Sequence, residues 1–175
     1  SKQEIAIICA SHHGETEHIK TVWKILKKIN LTDNDLECGF HFPFNKENKA
    51  KLYSGDIKQS NIYNNCSGKH AGLLAMIKNL GFNTAGYTKQ NHPIHKHIND
   101  YIEKQSGIKP KHFAIDGCSL PTPYLNLFAL ASMYMKLITA KKGSTLFKVF
   151  NAMTAFPTMV SGTKGFDTHF MKTFK

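Results

Sequence analysis

The sequence predicts one mixed α/β domain, and three observations carry that expectation. Short apolar runs bounded by polar residues alternate with longer amphipathic segments, as in layered α/β units. The chain has 175 residues, enough for a single core. Apolar residues make up 41% and charged residues 20%, the balance of a globular protein and not of a disordered one.

Residues 5–10 are Ile-rich and flanked by polar residues, which predicts a buried strand. Ser11, His12, His13, Gly14 and Glu15 form the turn after it. From 15 to 29, Ile19, Val22, Trp23, Leu26 and Ile29 recur at helical spacing, with Lys20, Lys24, Lys27 and Lys28 mostly opposite. Lysines in the last turn suit the negative end of a helix dipole. Residues 36–43 read as a short extended segment, and 45–65 as a polar surface excursion. Leu73, Leu74, Ile77 and Leu80 then mark a helix over 68–80, ended by Gly81. A further helix is expected over 92–105, with Pro93 in its first turn. Residues 111–115 read as a strand entering Asp116-Gly117-Cys118. The two prolines that follow predict extended or turning chain. Residues 125–138 are apolar around the whole circumference, which predicts a central buried helix. A last helix spans 144–155, closed by Pro157.

The formal charge is +11, which invites a polyanion-binding function. All 23 basic residues are lysine. Arginine supplies the planar fork that grips phosphate and guanine, so its absence argues against specific nucleic-acid recognition and for a solvated lysine surface. Four cysteines (Cys9, Cys38, Cys66 and Cys118) are too few for a disulfide scaffold in a chain of this length. No apolar run is long enough to cross a bilayer, and no leader with a basic start is visible, so a cytoplasmic setting is expected.

Two knots concentrate chemistry. Asn64-Asn65-Cys66-Ser67-Gly68-Lys69-His70 puts a thiol, an amine and an imidazole at the start of a helix. Cys66 and His70 form a local ligand pair that Cys118 could complete from across the fold, since zinc takes three or four such ligands. Lys69 could instead be a buried base, or Cys66 a small core residue and Lys69 a surface charge. Asp116 could orient Lys69 or a metal ligand, or Asp-Gly could be a plain turn. Ser11 could orient a substrate or join a proton relay; alternatively it caps the following helix while His12 and His13 face water. Two Ser-x-x-Lys spacings, Ser106 with Lys109 and Ser161 with Lys164, are expected to be coincidental.

In order along the chain, these segments resemble the asparaginase II family of rhizobial-type L-asparaginases. The resemblance runs through Cys9-Ala10-Ser11-His12, Gly14-Glu15 and His18, then Cys38-Gly39-Phe40-His41-Phe42-Pro43 and the 64–72 knot. It continues through His92-Pro93-Ile94, Asp116-Gly117-Cys118, Val160-Ser161-Gly162-Thr163 and Phe166-Asp167-Thr168. It implies an α/β/α sandwich like that of serine β-lactamases and penicillin-binding proteins, with hydrolysis of L-asparagine to L-aspartate and ammonia. It also implies one zinc held by Cys66, Lys69 and Cys118, with Ser11 and Asp116 in the active site, and a common tendency to form homodimers. The family's nucleophilic Ser-x-x-Lys dyad would lie upstream of Ser11 and a further active-site lysine downstream of Lys175. The expectation is therefore one domain over 1–175, cut at both ends and inactive alone. A zinc- or polyanion-binding module without catalysis is the alternative.

Overall fold

A computed structural model describes residues 1–174. It is mainly helical with one small sheet, a coarse α/β composition. The helices are α1 (Lys2–Ile8), α2 (Thr16–Lys28), α3 (Lys46–Ser54), α4 (Ser67–Asn79) and α5 (Pro93–Ser106). After strands β1 (Phe113–Ile115) and β2 (Pro121–Pro123) come α6 (Leu127–Ile138), α7 (Thr145–Ala155), α8 (Pro157–Ser161) and α9 (Phe166–Thr173). The strands pair antiparallel, Phe113 opposite Pro123 and Ile115 opposite Pro121, and form the only sheet among the described residues.

The expected strand at 5–10 is instead α1 and its C-terminal turn. Ser1 and Glu4 form a capping box that starts the helix. Ala6 and Ile7 are fully buried, and α1 packs against α2, α4, α7 and α8. A short apolar run has the same composition in a strand and in a buried helix, and here burial among four helices overrides the β preference of the isoleucines.

Close approach of α4 to α1 depends on two glycines one turn apart. A Cβ on Gly68 would overlap the Ile7 carbonyl oxygen and lie 2.9 Å from its carbon. A Cβ on Gly72 would lie 2.7 Å from Ile8 Cγ1. Opposite this contact, Ala71, Leu74 and Ile77 of α4 join Val22 and Leu26 of α2, Leu36, Ile62, Tyr87 and Ile94 in the core.

Three other expectations change. The 45–65 stretch contains α3, which Asn45 caps by accepting the Asn48 N–H. Pro157 opens α8 at a position that needs no N–H donor, so it begins a helix as well as following one. The 125–138 helix forms as α6 but is not central: Ala129 is its one buried residue, and Phe128 is 83% exposed. Among the described residues only α5 and α7 make substantial contact with it, so its apolar circumference is largely uncovered.

Candidate functional site

The start of α4 is held by side chains from three directions. Buried Asn64 accepts the Cys66 N–H on Oδ1 at 2.8 Å and donates through Nδ2 to the carbonyls of Cys38 and Gly39 at 2.9 and 3.1 Å. Ser67 donates its hydroxyl to the Ile62 carbonyl at 2.8 Å. That leaves its oxygen to accept the His12 Nε2–H at 2.9 Å. His12 Nδ1 in turn accepts the Gly14 N–H at 3.1 Å, which fixes a neutral ring with its proton on Nε2. Burial, helped by the neighbouring histidines, lowers the His12 pKa to about 3.

His12 therefore faces the core, and Ser11 does not cap α2. The cap position belongs to Glu15. Gly14 adopts a positive φ of 69° beneath Pro43, a place with no room for a side chain. Ser11 is exposed, and its hydroxyl accepts from Asn65 Nδ2 at 2.8 Å. The turn carrying Ser11 joins two helices, so the strand-to-helix setting expected for it is absent.

The second knot is the β1–β2 turn. Asp116 N–H donates to the Leu120 carbonyl at 2.9 Å and Ser119 N–H to the Asp116 carbonyl at 2.8 Å, closing it tightly. This swings Cys118 beneath α4, where it is buried. Donor atoms of Cys66, Asp116 and Cys118 all lie within 4.8 Å of one another. Lys69 Nζ is 3.3 Å from Asp116 Oδ2, and Cys118 Sγ is 3.4 Å from the same oxygen.

Electrostatics couple the four groups. A hydrogen bond from Cys66 lowers the Cys118 thiol well below its usual value, against the effect of burial; His70, the Leu120 backbone and Lys69 add to the lowering. The same hydrogen bond, with burial, raises Cys66. Burial pulls Lys69 toward its neutral form, but the two sulfurs and Asp116 outweigh it and hold the amine's proton above the ordinary lysine value. Burial works against the Asp116 carboxylate, yet the Cys118 and Gly117 hydrogen bonds and Lys69 keep its pKa low.

Two sulfurs, an amine and a carboxylate converging from a helix and a hairpin suit a zinc-like cation, which prefers thiolate and nitrogen donors. A metal at this point would have to displace the Lys69 proton. The cluster opens into a cleft of about 460 Å³ whose walls include Cys9, Ser11, Asn65, Cys66, Lys69 and Asp116. Ser11 of the 11–15 turn and the two knots thus meet in one place.

A family model described as L-asparaginase II matches residues 1–175. The chain belongs to the L-asparaginase II family. No curated protein matches it.

The remaining family-like segments of this L-asparaginase II chain bond to one another next to the 11–15 turn. Glu15 accepts the Thr163 N–H at 2.8 Å and its hydroxyl at 2.6 Å. His18 Nδ1 accepts the Glu15 N–H at 3.0 Å, so its Nε2–H donates to the Thr158 carbonyl at 2.7 Å. Thr168 Oγ1 lies 2.7 Å from the Gly162 carbonyl. These contacts tie the start of α2 to the α8–α9 loop across more than a hundred residues of chain. Reading the residues without the resemblance quoted Asn64, Asn65 and Glu15 within its motifs but gave them no role, and passed over His18; the Asn64-Asn65 pair just before a helix start was the available signal.

The two Ser-x-x-Lys spacings are not catalytic pairs: Ser106 bonds the backbone of Ile108, and among the described residues no lysine donates to a serine hydroxyl. A larger cleft of about 760 Å³ lies on α2, lined by Lys20, Trp23, Lys24, Lys27 and Lys28. It holds no thiol, acid or imidazole. Among the described residues, no helix is long and apolar enough to cross a membrane.

Proposed function

We propose that this chain provides the metal-holding and substrate-binding part of an L-asparagine amidohydrolase, a reaction that yields L-aspartate and ammonia. The family's α/β/α sandwich is part of the same proposal. One observation carries it: Cys66, Lys69, Asp116 and Cys118 converge beside a cleft that Ser11 and Asn65 also line. Cys66, Cys118 and Lys69 would hold zinc. Bound there, zinc would supply a Lewis acid that can take a substrate oxygen. Asp116 orients Lys69 from 3.3 Å and sits beside Cys118. Asn65 points its amide at Ser11 and fixes the hydroxyl that faces the cleft. A free amino acid carries an ammonium group, and the Asp116 carboxylate offers a matching anion at the cleft wall.

Amide hydrolysis through an acyl-enzyme needs a hydroxyl with a base beside it. Ser11 accepts from an amide and has no base among its hydrogen-bond partners in the described residues. We therefore assign it to substrate orientation and expect no turnover from this chain alone.

The test combines zinc quantification, calorimetry with L-asparagine and L-aspartate, and ammonia release on the purified chain. The expected result is about one zinc per chain, removed by Cys118→Ser, amino-acid binding weakened by Asp116→Asn, and no ammonia above background. A chain that neither binds zinc nor the amino acids overturns the proposal. Ammonia release that is lost in Ser11→Ala overturns the assignment of Ser11.

The second reading is a polyanion-binding module without catalysis, favoured by the lysine-lined cleft on α2 and the +11 charge. It requires an affinity for nucleic acid that falls steeply with salt and persists at physiological ionic strength.

A further inference from the structure

Ser11 and Asn65 line the cleft beside the four converging groups. His41 is not among the residues that line it, yet it is the side chain that grips Asn65. The segment carrying His41 is pinned first. Asn64 donates to the carbonyls of Cys38 and Gly39 at 2.9 and 3.1 Å. Asn65 in turn has its own carbonyl taken up by the His12 N–H at 3.0 Å. The backbone at 38–39, 64–65 and 12 is thereby tied together before any side chain of the cleft is placed.

Both ring nitrogens of His41 are engaged. Nδ1 lies 2.8 Å from the Phe42 carbonyl, which can only accept, so Nδ1 carries a proton. Nε2 accepts the Asn65 N–H at 2.9 Å, and Asn65 Oδ1 lies 2.9 Å from the same nitrogen. The Phe44 ring packs against the imidazole, with 5.4 Å between centroids. With its oxygen end toward His41, the Asn65 amide presents its NH2 end to Ser11 and donates to the hydroxyl oxygen at 2.8 Å. A hydroxyl that accepts in this way keeps its own hydrogen for a ligand. The two ends of an amide have nearly the same shape, so the partners at each end decide which way round it sits. The backbone N–H asks Nε2 for a lone pair and Oδ1 asks it for a proton, so one ring nitrogen governs both the place and the sense of this amide.

We infer that His41 is a positioning residue that sets, through Asn65, how the Ser11 hydroxyl is presented to the cleft. The inference rests on the reading of the cleft proposed above. Among the described residues no hydrogen bond joins His41 to Ser11 itself, so its influence passes through the amide. Without the ring, the amide is free to turn its oxygen to Ser11. The hydroxyl hydrogen then goes to Asn65 and is lost to the ligand. The group that Ser11 recognises is therefore an acceptor, such as the carboxylate of L-aspartate or the amide oxygen of L-asparagine.

L-Aspartate affinity by calorimetry and zinc content are measured on the full chain and its variants, with folding checked by circular dichroism. His41→Leu is expected to weaken L-aspartate binding by about 3–10-fold and to leave zinc content unchanged. His41→Gln is expected to recover most of the affinity, because its amide can accept the Asn65 N–H and donate to Oδ1 at once. In a Ser11→Ala chain, His41→Leu should cost nothing further. If His41→Leu does not fold, His41→Asn decides, since its shorter amide can keep the Phe42 contact but stops short of Asn65. Equal losses with and without Ser11 overturn the inference. So does a His41→Gln that behaves like His41→Leu, or a loss of zinc together with affinity, because the whole loop would then be failing. A second readout needs no ligand. The side-chain amide resonances of Asn65 in an isotope-labelled chain, identified by their loss in Asn65→Asp, should shift in both His41→Leu and Ser11→Ala. Resonances indifferent to His41→Leu overturn the inference. A parent chain that binds neither amino acid overturns the reading of the cleft instead, and the amide resonances then decide the role of His41.

Discussion

Replacing Gly68 with alanine separates local preference from packing. In a solvated helix the change stabilises by about 1 kcal/mol, because alanine is the better helix former. Here the new methyl would overlap the Ile7 carbonyl oxygen and lie 2.9 Å from its carbon and 3.0 Å from Ile7 Cγ1. Carbon atoms pack comfortably at about 3.5–4.0 Å, so α1 has to retreat from α4 by about 1 Å. The obstacle is backbone and cannot rotate away. Overpacking of this kind costs about 1–3 kcal/mol, and more where rigid elements meet. The net expectation is a loss of about 1–2 kcal/mol, or about 2–8 °C in Tm for a chain of this size. Urea unfolding followed by far-ultraviolet circular dichroism measures it, with Gly72→Ala as the comparison. That methyl meets only the Ile8 side chain, which can shift, so its loss should be smaller. A Gly68→Ala chain as stable as the parent, or more stable, refutes the packing argument.

Three further outcomes are expected. His12 has its folded pKa lowered from 6.5 to about 3, so below about pH 6.5 the unfolded chain takes a proton that the folded chain refuses. Its contribution is constant above that pH and is lost as pH falls toward 3, at up to about 1.4 kcal/mol per pH unit; His12→Gln should flatten the fall in urea midpoint between pH 6.5 and 4.5, and an equally steep fall would show that His12 is not responsible. Glu15→Gln weakens two hydrogen bonds to Thr163 and should lower stability by about 1 kcal/mol in the same unfolding assay, with Thr163→Val giving a non-additive double mutant; simple additivity would mean the two residues do not act together. The uncovered face of α6, with Phe128, Tyr134 and Ile138 all more than half exposed, should bind an apolar fluorescent dye, and Phe128→Lys with Ile138→Lys should reduce the signal several-fold; dye binding that ignores these changes would place the apolar surface elsewhere.

The parts legible in the sequence were those with a long period or a strong stop. The α2 pattern of Val22 and Leu26, the Gly81 end of α4 and the Pro93 start of α5 each name their element with little ambiguity. Residues 5–10 were not legible, because six apolar-rich residues carry no period that tells a strand from a helix buried on every side. The circumference of α6 signals burial, but only another element can supply it, and α5 and α7 cover too little. In the site, the two knots could be suspected from residue type, whereas their meeting depends on a hairpin whose strands are three residues each. The histidines misled for a related reason. His12 reads as a residue facing water and His70 as a zinc ligand paired with Cys66, whereas both are buried against hydroxyls, of Ser67 and Tyr87, that no local pattern announces.

The two halves of the cluster stand on foundations of unequal depth. Cys66 and Lys69 ride on α4, locked against α1 and rooted in the core, while Asp116 and Cys118 hang from a two-stranded ribbon whose contributions to that core are Cys118 and Leu120. Opening the ribbon breaks few contacts, and opening α4 breaks the fold. Amide hydrogens should therefore exchange orders of magnitude faster along 113–123 than along 70–77. The cleft accordingly has a fixed jamb on the α4 side and, at Asp116, a door that can swing without unfolding the core.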